Sequence, residues 1–304
     1  MKLIAPDYYP QFHCIADKCR HSCCIGWEID IDPDTREQYR HTAGPFGARL
    51  NAAIEDGEVS TFRLGPDERC PMLNANGLCD LITALGEDAL CQICADHPRF
   101  RNFFAERTEI GLGLCCEAAA RLILTRNEPM ALIPLEDDGH AAALPEEEAE
   151  LLALRSALIA RMQDRSIAIT GRLEFLLDAV DFALPEKDWA EVYRHLERLD
   201  PTWDEHIEKL RSPWKDCPEA FSTALEQFCV YLLYRHLPGA LDDEDIPGRV
   251  ALCVLSTRAL MALCTATENC TMDDLLNFAR MYSAEIEYSE DNINALLDAL
   301  WEES

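Results

Sequence analysis

The second half of the chain is a succession of apolar stretches carrying the three-to-four-residue spacing of helices with one buried face. The pattern predicts helices over 146–164, 171–183, 187–198, 202–210, 218–236 and 246–266, closed by the pair 272–288 and 290–302. Thr271 with Asp274, and Ser289 with Asn292, have the spacing of N-terminal capping arrangements. The first 124 residues read differently. Trp27, Ile29 and Ile31 alternate with polar residues, which predicts a short strand over 27–31, and Thr61–Leu64 reads as another. Asp32-Pro33-Asp34 is a helix start, with Asp32 as N-cap and Pro33 at the first helical position, running to about His41 until Gly44-Pro45 breaks it. A second helix is expected over 47–56, a third from Leu85 to His97-Pro98, and a fourth over 116–124. Residues 125–150, with Asn127-Glu128-Pro129, Glu136-Asp137-Asp138-Gly139 and Glu146-Glu147-Glu148, read as a linker or loop.

These elements predict a mainly α protein. An irregular cysteine-rich part with short strands (1–124) is joined by the linker 125–150 to a helical part (151–304) on which it packs. No internal repeat, βαβ alternation or phosphate-binding glycine loop is present; the lone G-x-G is Gly111-Leu112-Gly113.

Composition and charge narrow the classes. Of 304 residues 48% are apolar, enough for a substantial core. With 56 acidic against 27 basic residues the formal net charge is −29. Such a surface repels phosphate backbones, which argues against nucleic acid, and attracts a basic partner such as a lysine-bearing protein surface. MKLIAPDYYPQF lacks the apolar run of a secretory leader, and no stretch reads as the ~18–20 apolar residues of a membrane span. The expected location is the cytosol, without membrane attachment.

Fifteen cysteines change the picture most, because ten lie in the first 116 residues, in clusters. They read Cys14-x4-Cys19-x3-Cys23-Cys24, Cys70-x8-Cys79, Cys91-x2-Cys94 and Cys115-Cys116. Thiols stay reduced in the cytosol, so clustering favours a metal ion or iron–sulfur cluster over disulfides; the alternative is a set of small apolar fillers. Filling the core is the expected role of Cys217, Cys229, Cys253, Cys264 and Cys270. Ten thiols exceed the four of one centre, so two centres, or one with spare thiols, are both open. His13, His21 and His97 lie beside cysteines. Arg99 and Arg101 can offset thiolate charge or hold an anionic group, and are the candidate cofactor-binding residues.

The motif Tyr8-Tyr9-x2-Phe12-x-Cys14-Ile15-Ala16-Asp17-Lys18-Cys19-x3-Cys23-Cys24-Ile25-Gly26-Trp27 resembles the opening of the flagellin lysine-N-methylase family, FliB. Cys70-Pro71-x-Leu73, Gly77-Leu78-Cys79-Asp80, Leu90-Cys91-x2-Cys94-x2-His97-Pro98-Arg99 and Cys116-Glu117-x2-Ala120-Arg121 are similar to it as well. So is the closing Tyr282-Ser283-x-Glu285-Ile286-Glu287-Tyr288-Ser289-x2-Asn292. The cysteine-rich part alone resembles CxxxCxxCC-type zinc- or iron-chelating domains.

The resemblance implies methyl transfer from S-adenosylmethionine to lysines of flagellin or a similar protein. It also implies a [4Fe-4S] cluster, or a zinc ion, on Cys14, Cys19, Cys23, Cys24, Cys70, Cys79, Cys91, Cys94 and Cys116; of the Cys115–Cys116 pair it favours Cys116. Lysine must lose a proton before it can attack, since its ordinary pKa is about 10.4. Tyr282 and Glu285 are the catalytic candidates on this reading, with Tyr288 nearby. On an α-helix 282, 285 and 289 share a face from which Glu287 points away. A non-catalytic zinc- or iron-chelating protein is the competing reading.

Overall fold

A computed structural model describes residues 2–137, 139, 143–211, 214 and 218–302. Asp138 and Cys217, both named above, lie outside the described residues. The protein is mainly α-helical and divides into two compact units, one of residues 1–12 with 100–304 and one of His13–Arg99.

The larger unit holds a four-stranded sheet in which Lys2–Pro6 lies centrally. It pairs in parallel with Arg107–Leu112 (Leu3 opposite Thr108) and antiparallel with Leu132–Asp137 (Pro6 opposite Leu132). The strand that begins at Arg99 and ends at Phe103 flanks Arg107–Leu112 at the sheet edge. Two sequence expectations differ here. Residues 125–150 are more than a linker, because Leu132–Asp137 completes the sheet. Residues 2–12 and 100–124 also sit with the helices rather than with the cysteines, because sheet pairing joins 2–6 to 107–112 and 132–137.

The helices form where the pattern places them: Glu146–Met162, Ile169–Asp178, Trp189–His195, Ser222–His236, Ile246–Thr265, Met272–Tyr282 and Glu290–Trp301. Short turns of helix replace the one expected over 202–210. Ile246–Thr265 is apolar on almost every side and packs against Ser222–His236, Ile169–Asp178, Met272–Tyr282 and Glu290–Trp301. By length and composition it is apolar enough to cross a membrane, contrary to the expectation from sequence, yet 78% of its apolar window is buried within the protein. Cys229, Cys253 and Cys264 are fully buried along this core, as small apolar fillers.

Two buried ionic knots tie the layers. Arg155 meets Glu109 of the sheet through both guanidinium nitrogens at 2.7 Å, and Arg107 adds a contact of 2.6 Å. Glu226 receives Arg172 at 2.7 Å and Arg165 at 2.9 Å. Such paired, hydrogen-bonded charges fix geometry, and losing one partner costs about 3–5 kcal/mol.

The expected helix 272–288 stops being α-helical at Tyr282. Ser283–Glu287 forms a π-helical turn, whose wider hydrogen-bond spacing shifts the faces of every later residue. The Thr271–Asp274 capping box starts this helix, and Ser289 caps the next by accepting from the Asn292 N–H at 3.2 Å.

The smaller unit has a three-stranded antiparallel sheet ordered Asp30–Ile31, Ser60–Phe62, Ile54–Glu55. Pro33–Arg40 starts as expected, with Asp32 Oδ1 accepting from the Thr35 N–H at 3.0 Å. The next helix runs Gly44–Ala52, so Pro45 opens it rather than merely ending its predecessor. The expected helix 85–97 is instead a short turn at Glu87–Ala89 and the helix Gln92–Asp96. Arg36 grips Asp56 through two bonds of 2.7 and 3.0 Å and bonds Asn51 at 2.7 Å. The core is small: Ile29, Ile31, Tyr39, Leu50, Ile54 and Phe62 pack with Met72, Leu81 and the buried thiols Cys70 and Cys91.

Candidate functional site

In the larger unit a cavity of about 580 Å³ opens where the end of Ser222–His236, the start of Ile246–Thr265, the π-helical turn and Glu290–Trp301 meet the edge strand. Arg101, Arg235 and Arg249 bring guanidinium groups to it, and Asp242, Glu287 and Glu290 bring carboxylates. Phe100 and Phe103 contribute aromatic rings, with Phe103 74% exposed. Gly111 lets the Phe100 ring lie against the neighbouring strand: a Cβ there would come within 2.3 Å of the ring. Phe100 in turn supports Arg235, whose guanidinium carbon sits 5.0 Å from the centroids of both Phe100 and Tyr288. Gly239 leaves similar room for Arg249, which is pinned by Asp243 at 2.8 Å.

Glu287 is the hub. Its Oε2 accepts from His236 Nε2 at 2.6 Å and from the Tyr231 hydroxyl at 2.8 Å, with Arg235 Nη1 at 3.4 Å. Its Oε1 is buried and has no hydrogen-bond partner among the described residues. Burial alone would raise the carboxyl pKa, but Arg235, His236 and Ser283 together hold it down at about 2. Burial lowers the His236 pKa, with Glu287 opposing, so the imidazole is neutral near pH 7. With Glu287 ionised, the hydrogen bond assigns the ring proton to Nε2 and leaves the lone pair on Nδ1.

The residues expected to be catalytic lie elsewhere in this unit. The Tyr282 hydroxyl is fully buried, donating to Ser256 Oγ at 2.8 Å and lying 3.1 Å from the Tyr193 hydroxyl; burial pushes its pKa up. Glu285 is buried against Arg198 (2.7 Å) and the Asp200 N–H (2.8 Å). Neither lines the cavity. The π-helical turn is the reason: it brings Glu287, assigned to another face by α-helical spacing, to the cavity instead. Of the two expected cofactor-binding arginines, Arg101 lines the cavity, whereas Arg99 belongs to the smaller unit and donates to the Ala95 carbonyl at 3.1 Å. Arg235, His236, Arg249 and Glu290 were not singled out from sequence, and Glu287 was named only in the closing motif and placed on another face. The available signal was Arg235-His236, a charged pair closing a long apolar helix just before Pro238-Gly239.

The smaller unit gathers thiols. Cys70 and Cys91 are buried in its core, and Cys24, Cys79 and Cys94 pack against that core. The hydrogen bond from Cys23 is the largest influence on Cys24; with Ser22 and Arg69 it outweighs burial and holds the thiol at about 7. Burial pushes Cys70 up to about 11 and raises Cys79 too. Cys91 and Cys94 are hydrogen-bonded to each other, which lowers the first and raises the second. Cys14 and Cys23 are exposed, and the Cys19 thiol bonds the His21 carbonyl at 3.2 Å. His97 stacks at a tilt on Trp27, 6.1 Å between centroids, and burial lowers its pKa to about 4. Cys116 belongs to the larger unit, just before the helix Glu117–Leu124. This donor set has the soft-ligand chemistry of zinc or iron–sulfur sites. Its arrangement does not close on an ion: among the described residues no three His, Cys, Asp or Glu side chains form a group able to hold one.

Residues 173–304, which supply the cavity's helices, match the FliB lysine N-methylase C-terminal domain. The match covers less than half of the chain. Among its relatives are a lysine-N-methylase of Salmonella typhimurium, 27% identical over 140 residues, and one of Salmonella choleraesuis, 29% identical over 137. Each alignment covers 42% of this chain and 33% of the relative, so the match spans about a third of those proteins. The flagellar biosynthetic protein FliU of Salmonella muenchen is 27% identical over 140 residues, covering 42% of this chain and 79% of that protein. No solved structure matches.

Proposed function

We propose that this protein is a lysine N-methyltransferase that takes its methyl group from S-adenosylmethionine and modifies flagellin or a similar lysine-bearing protein. The observation that carries the reading is that the segment matching the lysine N-methylase domain builds most of the charged cavity: Arg235, His236, Arg249, Glu287 and Glu290 all fall within 173–304. Bound donor would supply an electrophilic methyl group. The chain must supply a proton acceptor, because an ammonium has no lone pair. His236 fits that role better than Tyr282 or Glu285. It lines the cavity, it is neutral, and Glu287 fixes its tautomer so that Nδ1 can take the lysine proton. Glu287 itself is too weak a base, being held at about 2, and serves to orient His236 and stabilise the imidazolium. The acidic surface favours a basic protein segment.

A [4Fe-4S] cluster or zinc ion on the gathered thiols belongs to the same reading, but no step of the transfer passes through it. The test is the intact mass of flagellin co-expressed with and without this chain. Added methyl groups on lysine support the reading, and an unchanged mass sinks it in favour of a metal-chelating protein.

A further inference from the structure

The charge of the cavity is balanced in a way that selects its ligand. Three guanidinium groups (Arg101, Arg235, Arg249) face three carboxylates (Asp242, Glu287, Glu290). Arg235 has an acidic partner in Glu287 and Arg249 in Asp243. A phosphate-rich ligand would meet Asp242 and Glu290, and a lone ammonium would meet Arg101 and Arg249. A ligand carrying both signs close together satisfies both sets. Asn102 and Asn294 add amide donors and acceptors. Phe103, 74% exposed, offers a bare aromatic face for a flat ring. A volume of about 580 Å³ suits a ligand of a few tens of heavy atoms.

We propose that this cavity seats an α-amino-acid zwitterion carried on an aromatic nucleoside, that is, the methionyl end of the methyl donor. Arg101 and Arg249 receive the α-carboxylate, Asp242 and Glu290 the α-ammonium, and Phe103 the base. The assignment of the donor rests on the methyltransferase reading above.

The experiment is titration calorimetry on the full chain with three probes: S-adenosylhomocysteine, 5′-methylthioadenosine (which lacks the amino-acid end) and free methionine. Wild type is compared with Arg101→Ala and Glu290→Gln, both at exposed positions, with thermal unfolding as the check that each variant is folded. S-adenosylhomocysteine should bind, and each substitution should weaken it about tenfold, the effect of losing one charge-assisted contact. Methylthioadenosine should bind more weakly and ignore both substitutions, and methionine should bind weakly but respond to both. Equal affinity for the two nucleosides, indifference of S-adenosylhomocysteine to both substitutions, or no binding of it at all overturns the proposal. The co-expression mass separates the two claims. Methylated flagellin with no such binding pattern removes the cavity assignment alone. The binding pattern without methylation removes the methyltransferase reading and leaves an amino-acid nucleoside site.

Discussion

The two units differ in the polar groups they bury. In the larger one, buried charges come with partners: Glu109 with Arg155, Glu226 with Arg172, Glu285 with Arg198, Glu287 with Arg235 and His236. In the smaller one Arg36 is paired with Asp56 in the same way, but buried thiols join it, and the thiols bond to one another or to backbone. The larger unit is stitched by its own ion pairs around an extensive apolar core. The smaller has a thin core in which several thiols are gathered. On the proposed reading, stability in the second rises when its thiols take up a metal, whereas the first is self-contained.

Metal uptake is the sharpest way to break that contrast. Loading with zinc, or with iron and sulfide under anaerobic conditions, should raise hydrogen-exchange protection across His13–Arg99 by several kcal/mol of opening free energy, about the scale of structural metal binding or somewhat below it. Protection in 100–304 should stay as it was. Equal change in both units, or none in either, would mean that the thiols are fillers.

Within the larger unit, His236→Asn should lower methyl transfer by about 10²–10⁴-fold, the usual contribution of a positioned base. Glu285→Gln should act on stability instead, because its carboxylate holds Arg198 and the Leu199–Asp200 backbone. Urea unfolding alongside initial rates separates the two. A Glu285→Gln protein of unchanged stability and lost activity would return the catalytic role to the residue first suspected.

Acid should weaken the larger unit in two stages. His236 has a folded pKa below its unfolded value, so the unfolded chain binds more protons, and stability falls as pH drops below about 6.5. Glu287 is held at about 2, so its contribution is complete above about 4.3 and is lost as pH falls from there towards 2. Thermal unfolding across this range, for wild type and Glu287→Gln, should show the lower stage only in wild type.

The smallest effects concern helix caps. Thr271→Ala should cost about 1 kcal/mol, an ordinary cap. Asp32→Ala should cost more, because Asp32 also accepts from the Gln92 N–H at 2.8 Å and so joins two segments of the thin-cored unit. Equal costs by denaturant titration would show that the second bond carries nothing.

Periodicity made most helices of the larger unit legible, since an apolar stripe is a local property of sequence. The cap at Asp32 and the box at Thr271 were legible for the same reason. Long-range pairings were not. Nothing near Leu132 announces that it lies opposite Pro6, nor near Arg155 that it reaches Glu109. The cavity was the least legible part. Its residues come from four separated segments, and the turn that brings Glu287 to it is a departure from the regular helix on which face-counting relies.

The strand Lys2–Pro6 has a consequence in time. It is made before both of its neighbours, Arg107–Leu112 and Leu132–Asp137. During synthesis the whole of His13–Arg99 emerges before either neighbour exists, so the thiol-bearing unit can collapse while Lys2–Pro6 waits unpaired. The sheet closes only after a separate unit has been completed, and the order of manufacture exposes the thiols to the cell before that sheet exists.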